Sequence, residues 1–119
     1  TLCDYAGLAT PSSVESSSLM PLIGKPGGSV RDSVFFAYRN FQRGVRDRRY
    51  KLIVYNVNGK QTTQLFDLSN DPAETKDISG DRAQAARAGR MRAMLKDWMK
   101  KTGDPADLDK PNWGLAAQA

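Results

Sequence analysis

The sequence predicts an α+β fold, in which a small antiparallel sheet of three to four strands carries a C-terminal amphipathic helix on one face. Aromatic and β-branched residues are concentrated in the middle of the chain, where an Asn-Gly pair separates two apolar runs. Apolar residues then recur with the helical period in the last third. The 119 residues, of which 39% are hydrophobic and 26% charged, are enough for one compact domain.

Residues 1–30 are predicted to be the end of a preceding helix followed by connecting loops rich in serine, glycine and proline. Thr1–Leu8 has helical apolar residues and the helix-stop residue Gly7, but it leaves no room for a first turn. This pattern indicates a chain that is cut inside a helix. Between two of the loops, Leu19–Gly24 is a short apolar patch that must pack on something.

The central residues predict strands and a hairpin. The predicted strands cover Val34–Tyr38, Gly44–Arg46 and Tyr50–Val57. Asn58-Gly59 follows the last of them and fits a type I′ turn, whose two central residues both need positive φ. A two-residue turn at this position pairs Val57 with Lys60, Leu52 with Leu65 and Tyr50 with Asp67.

Two helix starts follow the predicted hairpin. Asp71-Pro72-Ala73-Glu74 has the signature of a capped first turn, and Ser79-Gly80 keeps that helix short. Asp81 is then the expected cap of a longer helix that runs to Thr102 and ends at Gly103. Its apolar face is formed by Met91, Met94, Leu95 and Trp98, and its opposite face by Arg87, Arg90, Lys96 and Lys100.

These elements predict an α+β subdomain over residues 31–103 and an extended tail over residues 104–119, in which Trp113 could dock.

The chain has no histidine, which excludes an imidazole base or ligand within it. A single cysteine, Cys3, excludes an internal disulfide and a thiolate metal cage. No apolar run approaches the ~20 residues that span a bilayer. No catalytic, cofactor-binding or metal-binding residue is therefore predicted.

The net charge of +5 is distributed unevenly, with two basic blocks on either side of an acidic one. The sharpest local feature is Arg39–Lys51, which interleaves six basic residues with Phe41 and Tyr50. Three interpretations stay open for this segment: a nucleic-acid patch, a site for a small anion that arginine recognises through its planar fork, or a strand pair with solvated outer faces.

Four blocks of the sequence resemble the sulfatase family. Leu65–Ile78 is similar to the C-terminal signature Leu-(Tyr/Phe)-Asp-Leu-x-x-Asp-Pro-x-Glu-x-x-Asn-Leu, with Asp and Ile at the last two defined positions. Val45–Ile53 resembles Val-Arg-Thr-x-x-Tyr-Lys-(Leu/Tyr)-Ile, with Asp in place of Thr. Thr1–Gly7 resembles Thr-Leu-Leu-Asp-Leu-Ala-Gly. Ser17–Gly24 resembles the loop Gly-x-Ser-Leu-x-Pro-Leu-Leu-x-Gly, with Ser16 in place of its opening glycine. The order and spacing of the blocks match over roughly residues 1–100.

The resemblance implies a non-catalytic C-terminal domain that completes the fold and shapes the substrate entrance. Sulfatases use a formylglycine, made from a Cys/Ser-x-Pro-x-Arg motif, and a calcium ion, and both lie toward the N-terminal side of the family's chain. Cys3 is followed by Asp-Tyr-Ala and does not fit that motif. The implied partners are the N-terminal catalytic domain of the same polypeptide and a sulfated small molecule or glycan. Arg39, Asn40 and Gln42 are the expected substrate contacts, and the 119-residue chain alone is expected to be inactive.

The resemblance also leaves alternatives. A related phosphodiesterase or phosphonate hydrolase shares the scaffold, and a free-standing basic module that binds nucleic acid or anions is the second alternative. The family favours a periplasmic, secreted or lysosomal location. Without a covering domain, the apolar surface around Leu19–Ile23 would be exposed, so we expect self-association or a swapped dimer.

Overall fold

The structure is a computed structural model and describes residues 1–115. It divides into two compact units, Thr1–Asp32 and a second unit that begins at Ser33. The first contains helix α1 (Leu2–Tyr5) and a 3-10 turn at Met20–Leu22. The second contains, in chain order, strands β1 (Val34–Tyr38), β2 (Gln42–Arg46), β3 (Tyr50–Val57) and β4 (Lys60–Asp67), a 3-10 turn at Arg82–Gln84, helix α2 (Ala85–Lys101) and a 3-10 turn at Pro111–Gly114.

In the first unit, helix α1 is a single turn that ends where the sequence predicts. Gly7 lies just after it with φ of 68°, the left-handed conformation that commonly ends a helix. Several apolar side chains of this unit are exposed, among them Leu2 and Tyr5 of the helix and Leu19 and Ile23 of the apolar patch. Exposed apolar groups of this kind favour association, and the self-association of the chain stays a prediction.

The second unit is built on a four-stranded antiparallel sheet in the order β1-β2-β3-β4, so the predicted sheet is confirmed. Asn58 and Gly59 form the turn between β3 and β4 with φ of 52° and 74°, the positive values that a type I′ turn needs. The predicted register is also confirmed: Val57 pairs with Lys60, Leu52 with Leu65 and Tyr50 with Asp67.

Strand β2 begins earlier than the sequence predicts. The predicted strand is Gly44–Arg46, whereas the structure has Gln42 and Arg43 already paired with β3. Arg43 shares the inner face of the sheet with Val45 and is only 4% exposed. A charged residue at a strand end normally faces solvent. Arg43 is buried instead because its charge is paired with that of Asp104, a partner that the local sequence does not show.

The hydrophobic core lies between the inner face of the sheet and α2. Its buried residues include Val45, Leu52, Val54 and Leu65 from the sheet and Met91, Leu95 and Met99 from α2. The predicted apolar face of the helix is therefore confirmed at Met91 and Leu95, and Met94 and Trp98 lie half-buried at its edge. Met99 extends the buried stripe by one turn beyond Leu95, as helical spacing allows.

The structure differs from the prediction at the start of α2. Asp81 precedes a 3-10 turn, the α-helix begins at Ala85, and neither helix start has a side-chain cap. Arg87, assigned to the solvent face, instead lies with its guanidinium carbon 3.9 Å from the ring centroid of the buried Tyr50. The negative face of an aromatic ring attracts a cation, so this position suits arginine better than the helical period alone indicates.

The predicted helix start at Asp71 is a turn. The carboxylate of Asp71 accepts hydrogen bonds from the amides of Thr75 and Lys76, at 3.1 and 2.8 Å. Glu74 has a positive φ of 55°, which a continuing right-handed helix does not allow. Asp and Pro are common both in helix starts and in turns, and here the aspartate accepts hydrogen bonds from the amides of a loop.

Asp77 explains one departure from the family signature, which has asparagine at this position. Its Oδ1 accepts hydrogen bonds from the amide of Leu65 at 3.0 Å and from the amide of Ser79 at 2.9 Å. Leu65 is fully buried, so its amide needs an acceptor. An asparagine side chain offers the same oxygen, and the two residues are therefore interchangeable in this role.

The segment 104–115 differs from the extended tail predicted for it. Ala106, Leu108 and Trp113 of this segment are buried in the same core as the sheet and α2. Asn112 and Trp113 both have positive φ, which bends the segment sharply back on itself. The apolar residues of this segment are too sparse to form a pattern that predicts packing. The predicted docking of Trp113 agrees with the structure. The rest of the predicted tail, residues 116–119, lies outside the described residues.

Candidate functional site

The three predicted contact residues lie together at the turn between β1 and β2. Tyr38 pairs with Gln42, so Arg39, Asn40 and Phe41 form the connecting turn. Arg39 is exposed, and its φ of 45° is rare for a residue with a long side chain. Asn40 and Gln42 are half-buried beside it. The turn and Gln42, the first residue of β2, therefore present one cation and two amide side chains at one end of the sheet.

Aromatic rings flank the cation of this turn. The rings of Tyr38 and Phe41 stack with their centroids 6.5 Å apart, and the guanidinium carbon of Arg39 lies 5.7 Å from the Tyr38 centroid. Tyr38 is 56% exposed, so this aromatic surface faces solvent. A planar guanidinium can bind an oxyanion through paired hydrogen bonds, and the neighbouring rings add an exposed apolar surface.

Beneath the turn lies Arg43, which sequence reasoning counted only as one of six basic residues. Its Nη1 donates to the carbonyl oxygens of Arg39 at 2.5 Å and Gln42 at 2.9 Å. Its Nε and Nη2 donate to the two carboxylate oxygens of Asp104, the second at 3.0 Å. The strand alternation that places Arg43 on the same face as Val45 is the one sequence signal that could have found this role.

Asp104 is ionised where it meets Arg43. Burial by itself would raise the pKa of the Asp104 carboxyl, but hydrogen bonds from Arg43 and from the Ala106 amide outweigh burial and hold the pKa below its ordinary value. The side chains of the pair are 5% and 8% exposed. Because removal of one partner leaves an uncompensated buried charge, such a pair is costly to break.

The last described residues close over the same pair. The guanidinium carbon of Arg43 lies 5.3 Å from the ring centroid of Trp113. Trp113 donates from Nε1 to Gln61 of β4 at 2.7 Å, and Asn56 of β3 donates to Asn112 at 2.8 Å. Three consecutive strands thus hold the segment that covers Arg43.

The remaining cations of the basic segment differ in their partners. Arg49 pairs with Asp67, and Lys51 pairs with Glu74. The Arg49 hydrogen bonds lower the pKa of Asp67 to about 2, so this pair persists at mildly acidic pH. Arg46 and Arg48 are exposed. The segment therefore combines one buried ion pair, two more exposed ion pairs and two exposed arginines, of which Arg46 lies opposite Lys51 across β2 and β3.

The described residues contain no ligand set that fits a metal. Among residues 1–115, no three Cys, Asp or Glu side chains lie close enough together to hold an ion. Cys3 is a free thiol, half-buried in the first unit. In the same part of the chain, no helix is long and apolar enough to cross a membrane.

Comparison with known proteins identifies the family. Residues 1–101 match the family described as N-sulphoglucosamine sulphohydrolase, C-terminal. The chain is 26% identical to the N-acetylglucosamine-6-O-sulfatase of Bacteroides thetaiotaomicron over 92% of its length. It is 30% identical to the Delta 4,5-hexuronate-2-O-sulfatase of the same organism over 87% of its length.

A solved structure shows the same fold as this chain. A protein solved in complex with its substrate D-glucosamine-2-N,6-O-disulfate superimposes with a TM-score of 0.76, at 23% identity over 97% of this chain and 24% of that one. The chain spans only 22% and 23% of the two sulfatases that it matches in sequence. It belongs to the N-sulphoglucosamine sulphohydrolase C-terminal family, the C-terminal domain of sulfatases.

Proposed function

We propose that this chain is the non-catalytic C-terminal domain of a sulfatase that acts on a sulfated sugar, and that its β1–β2 turn forms part of the substrate entrance. The observation that carries the proposal is the family match over residues 1–101 in a chain that covers less than a quarter of its sulfatase relatives. The relatives named above act on sulfated sugars, which supports this substrate class. Formylglycine and calcium would supply the sulfate-ester chemistry from the catalytic domain of the same polypeptide.

The chemistry of the turn supports its role in binding. Arg39 offers a fixed positive charge and a planar fork, which suit the sulfate or carboxylate groups of such a sugar. The half-buried amides of Asn40 and Gln42 can donate to and accept from sugar hydroxyl groups. Phe41 and the exposed ring of Tyr38 supply an apolar surface beside them.

Replacement of Arg39 by alanine in the intact sulfatase should lower kcat/KM for its sulfated sugar by about tenfold or more, because a hydrogen bond to a charged group is worth ~1.5–3 kcal/mol. Steady-state kinetics measure this loss. Arg48→Ala is the matched control, since Arg48 is an equally exposed arginine in the turn at the opposite end of the sheet. Equal losses for both variants, or none for Arg39→Ala, would contradict the proposed contact.

The proposal that this chain is non-catalytic and that the catalytic motif lies upstream has a separate test. The reading frame upstream of Thr1 should encode a Cys/Ser-x-Pro-x-Arg motif, and the purified 119-residue chain should not hydrolyse 4-nitrophenyl sulfate. The intact polypeptide, assayed in parallel, is the positive control. Hydrolysis by the 119-residue chain itself would overturn the proposal, and so would an upstream sequence that lacks the motif.

A further inference from the structure

We infer that Arg43, held by Asp104, is a positioning residue that fixes the β1–β2 turn in the conformation from which it contacts substrate. The inference rests on the proposed function of that turn. It assigns a role to two buried residues that do not themselves reach the surface, since Arg43 is 4% exposed and the Asp104 side chain 8%.

The hydrogen bonds of Arg43 are divided between two partners. One side of the guanidinium, at Nε and Nη2, meets the carboxylate of Asp104 as a two-pronged pair. The other side, at Nη1, meets the carbonyl oxygens of Arg39 and Gln42, which bracket the turn. A rigid planar group thereby transmits the position of Asp104 to the backbone of the turn.

Asp104 is itself anchored to the end of α2. Its amide donates to the carbonyl oxygen of Met99 at 2.9 Å, and its Oδ1 accepts from the Ala106 amide at 3.0 Å. Met99 is buried in the core. The carboxylate therefore occupies a fixed place, and it can orient Arg43 instead of following it.

The turn needs such a support because its conformation is unfavourable by itself. Arg39 has φ of 45°, in the left-handed region that L-residues with long side chains rarely adopt. Its carbonyl oxygen is one of the two that Arg43 binds. Two further hydrogen bonds define the turn, from the Phe41 amide to the Tyr38 carbonyl at 3.1 Å and from the Asn56 amide to the Phe41 carbonyl at 2.8 Å. Without Arg43, the Arg39 carbonyl could rotate toward water and Arg39 could relax to negative φ.

The variant that tests this role is Arg43→Lys. A lysine keeps the charge opposite Asp104, but its compact ammonium group cannot span the carboxylate and both carbonyl oxygens in one plane. In the intact sulfatase, Arg43→Lys should raise KM for the sulfated sugar about fivefold while kcat changes less than about twofold. In an Arg39→Ala background, the same change should raise KM by a smaller factor than in the parent sequence, because the part of the effect that depends on the position of the Arg39 side chain is gone.

A second measurement reports on the conformation of the turn and does not depend on an activity assay. Amide hydrogen exchange at Phe41 should accelerate in Arg43→Lys, because the turn that protects this amide is loosened. Asp104→Asn is a second variant with the same expected result, since it weakens the carboxylate that orients Arg43. Asp77→Ala is the control for loss of stability alone: it removes the acceptor of the buried Leu65 amide, toward the other end of the sheet, and should change neither KM nor Phe41 exchange.

Each outcome separates the inference from the proposed function. KM effects of Arg43→Lys and Arg39→Ala that simply multiply in the double variant would show that Arg43 does not position Arg39, which overturns the inference. An effect of Arg39→Ala without any effect of Arg43→Lys on KM or on Phe41 exchange would also overturn it and leave the proposed function standing. If Arg39→Ala has no effect on kcat/KM, the proposed contact fails and the inference with it, even where Phe41 exchange shows that Arg43 holds the turn.

Discussion

Replacement of Trp113 by alanine is expected to lower the free energy of unfolding by about 3–5 kcal/mol, the range for removal of a buried large aromatic side chain. Trp113 is 1% exposed and packs in the core with Leu108. Its ring also lies against Arg43, so its loss would open the buried ion pair to water. Urea unfolding of the 119-residue chain, followed by circular dichroism, measures the change.

Two tryptophan variants give the controls for this prediction. Trp113→Phe keeps most of the buried ring and loses the hydrogen bond to Gln61, which is exposed and can bond to water instead, so the loss should be smaller. Trp98→Ala removes a tryptophan that is only half-buried at the edge of α2 and should also cost less than Trp113→Ala. An equal, small loss for Trp113→Ala and Trp98→Ala would mean that segment 104–115 does not complete the core.

Replacement of Leu95 by alanine is expected to lower the free energy of unfolding by about 2–5 kcal/mol, because it removes buried apolar volume and leaves a cavity. Leu95 is fully buried at the centre of the helix face that packs on the sheet. The same urea titration measures the change, and the slope of the unfolding free energy against urea should stay close to that of the parent chain.

Leu19→Ala is the matched control for Leu95→Ala, since it makes the same chemical change at a residue that is 49% exposed. Its effect should stay within about 0.5 kcal/mol, as is usual for a surface substitution. A loss for Leu95→Ala as small as that of Leu19→Ala would contradict the packing of α2 on the sheet.

Several elements could be predicted because their signals are local. The Asn58-Gly59 pair determines its own turn, and that turn determines the pairing of β3 with β4 over their whole length. The apolar period of α2 likewise predicts which face is buried, at Met91 and Leu95. The signature in Leu65–Ile78 indicated the family that residues 1–101 match.

Other features depend on contacts that the local sequence pattern does not show. Asp71-Pro72 fits a helix start and a loop equally well, and the amides of Thr75 and Lys76 decide for the loop. Arg87 has the charge of a solvated residue, yet the ring of Tyr50 lies beside it. In each case the local preference is weak, and a single tertiary contact outweighs it.

The sequence by itself determined the class of fold, the register of its central hairpin, the buried face of its helix and the family. It also indicated Arg39, Asn40 and Gln42 as candidate contacts at the end of a strand. Only the tertiary structure decided that Arg43 lies under that turn, bound to Asp104 and covered by Trp113. The physical reason is that an arginine side chain normally faces solvent. It is buried only where a carboxylate compensates its charge, and here that carboxylate lies 61 residues away in sequence.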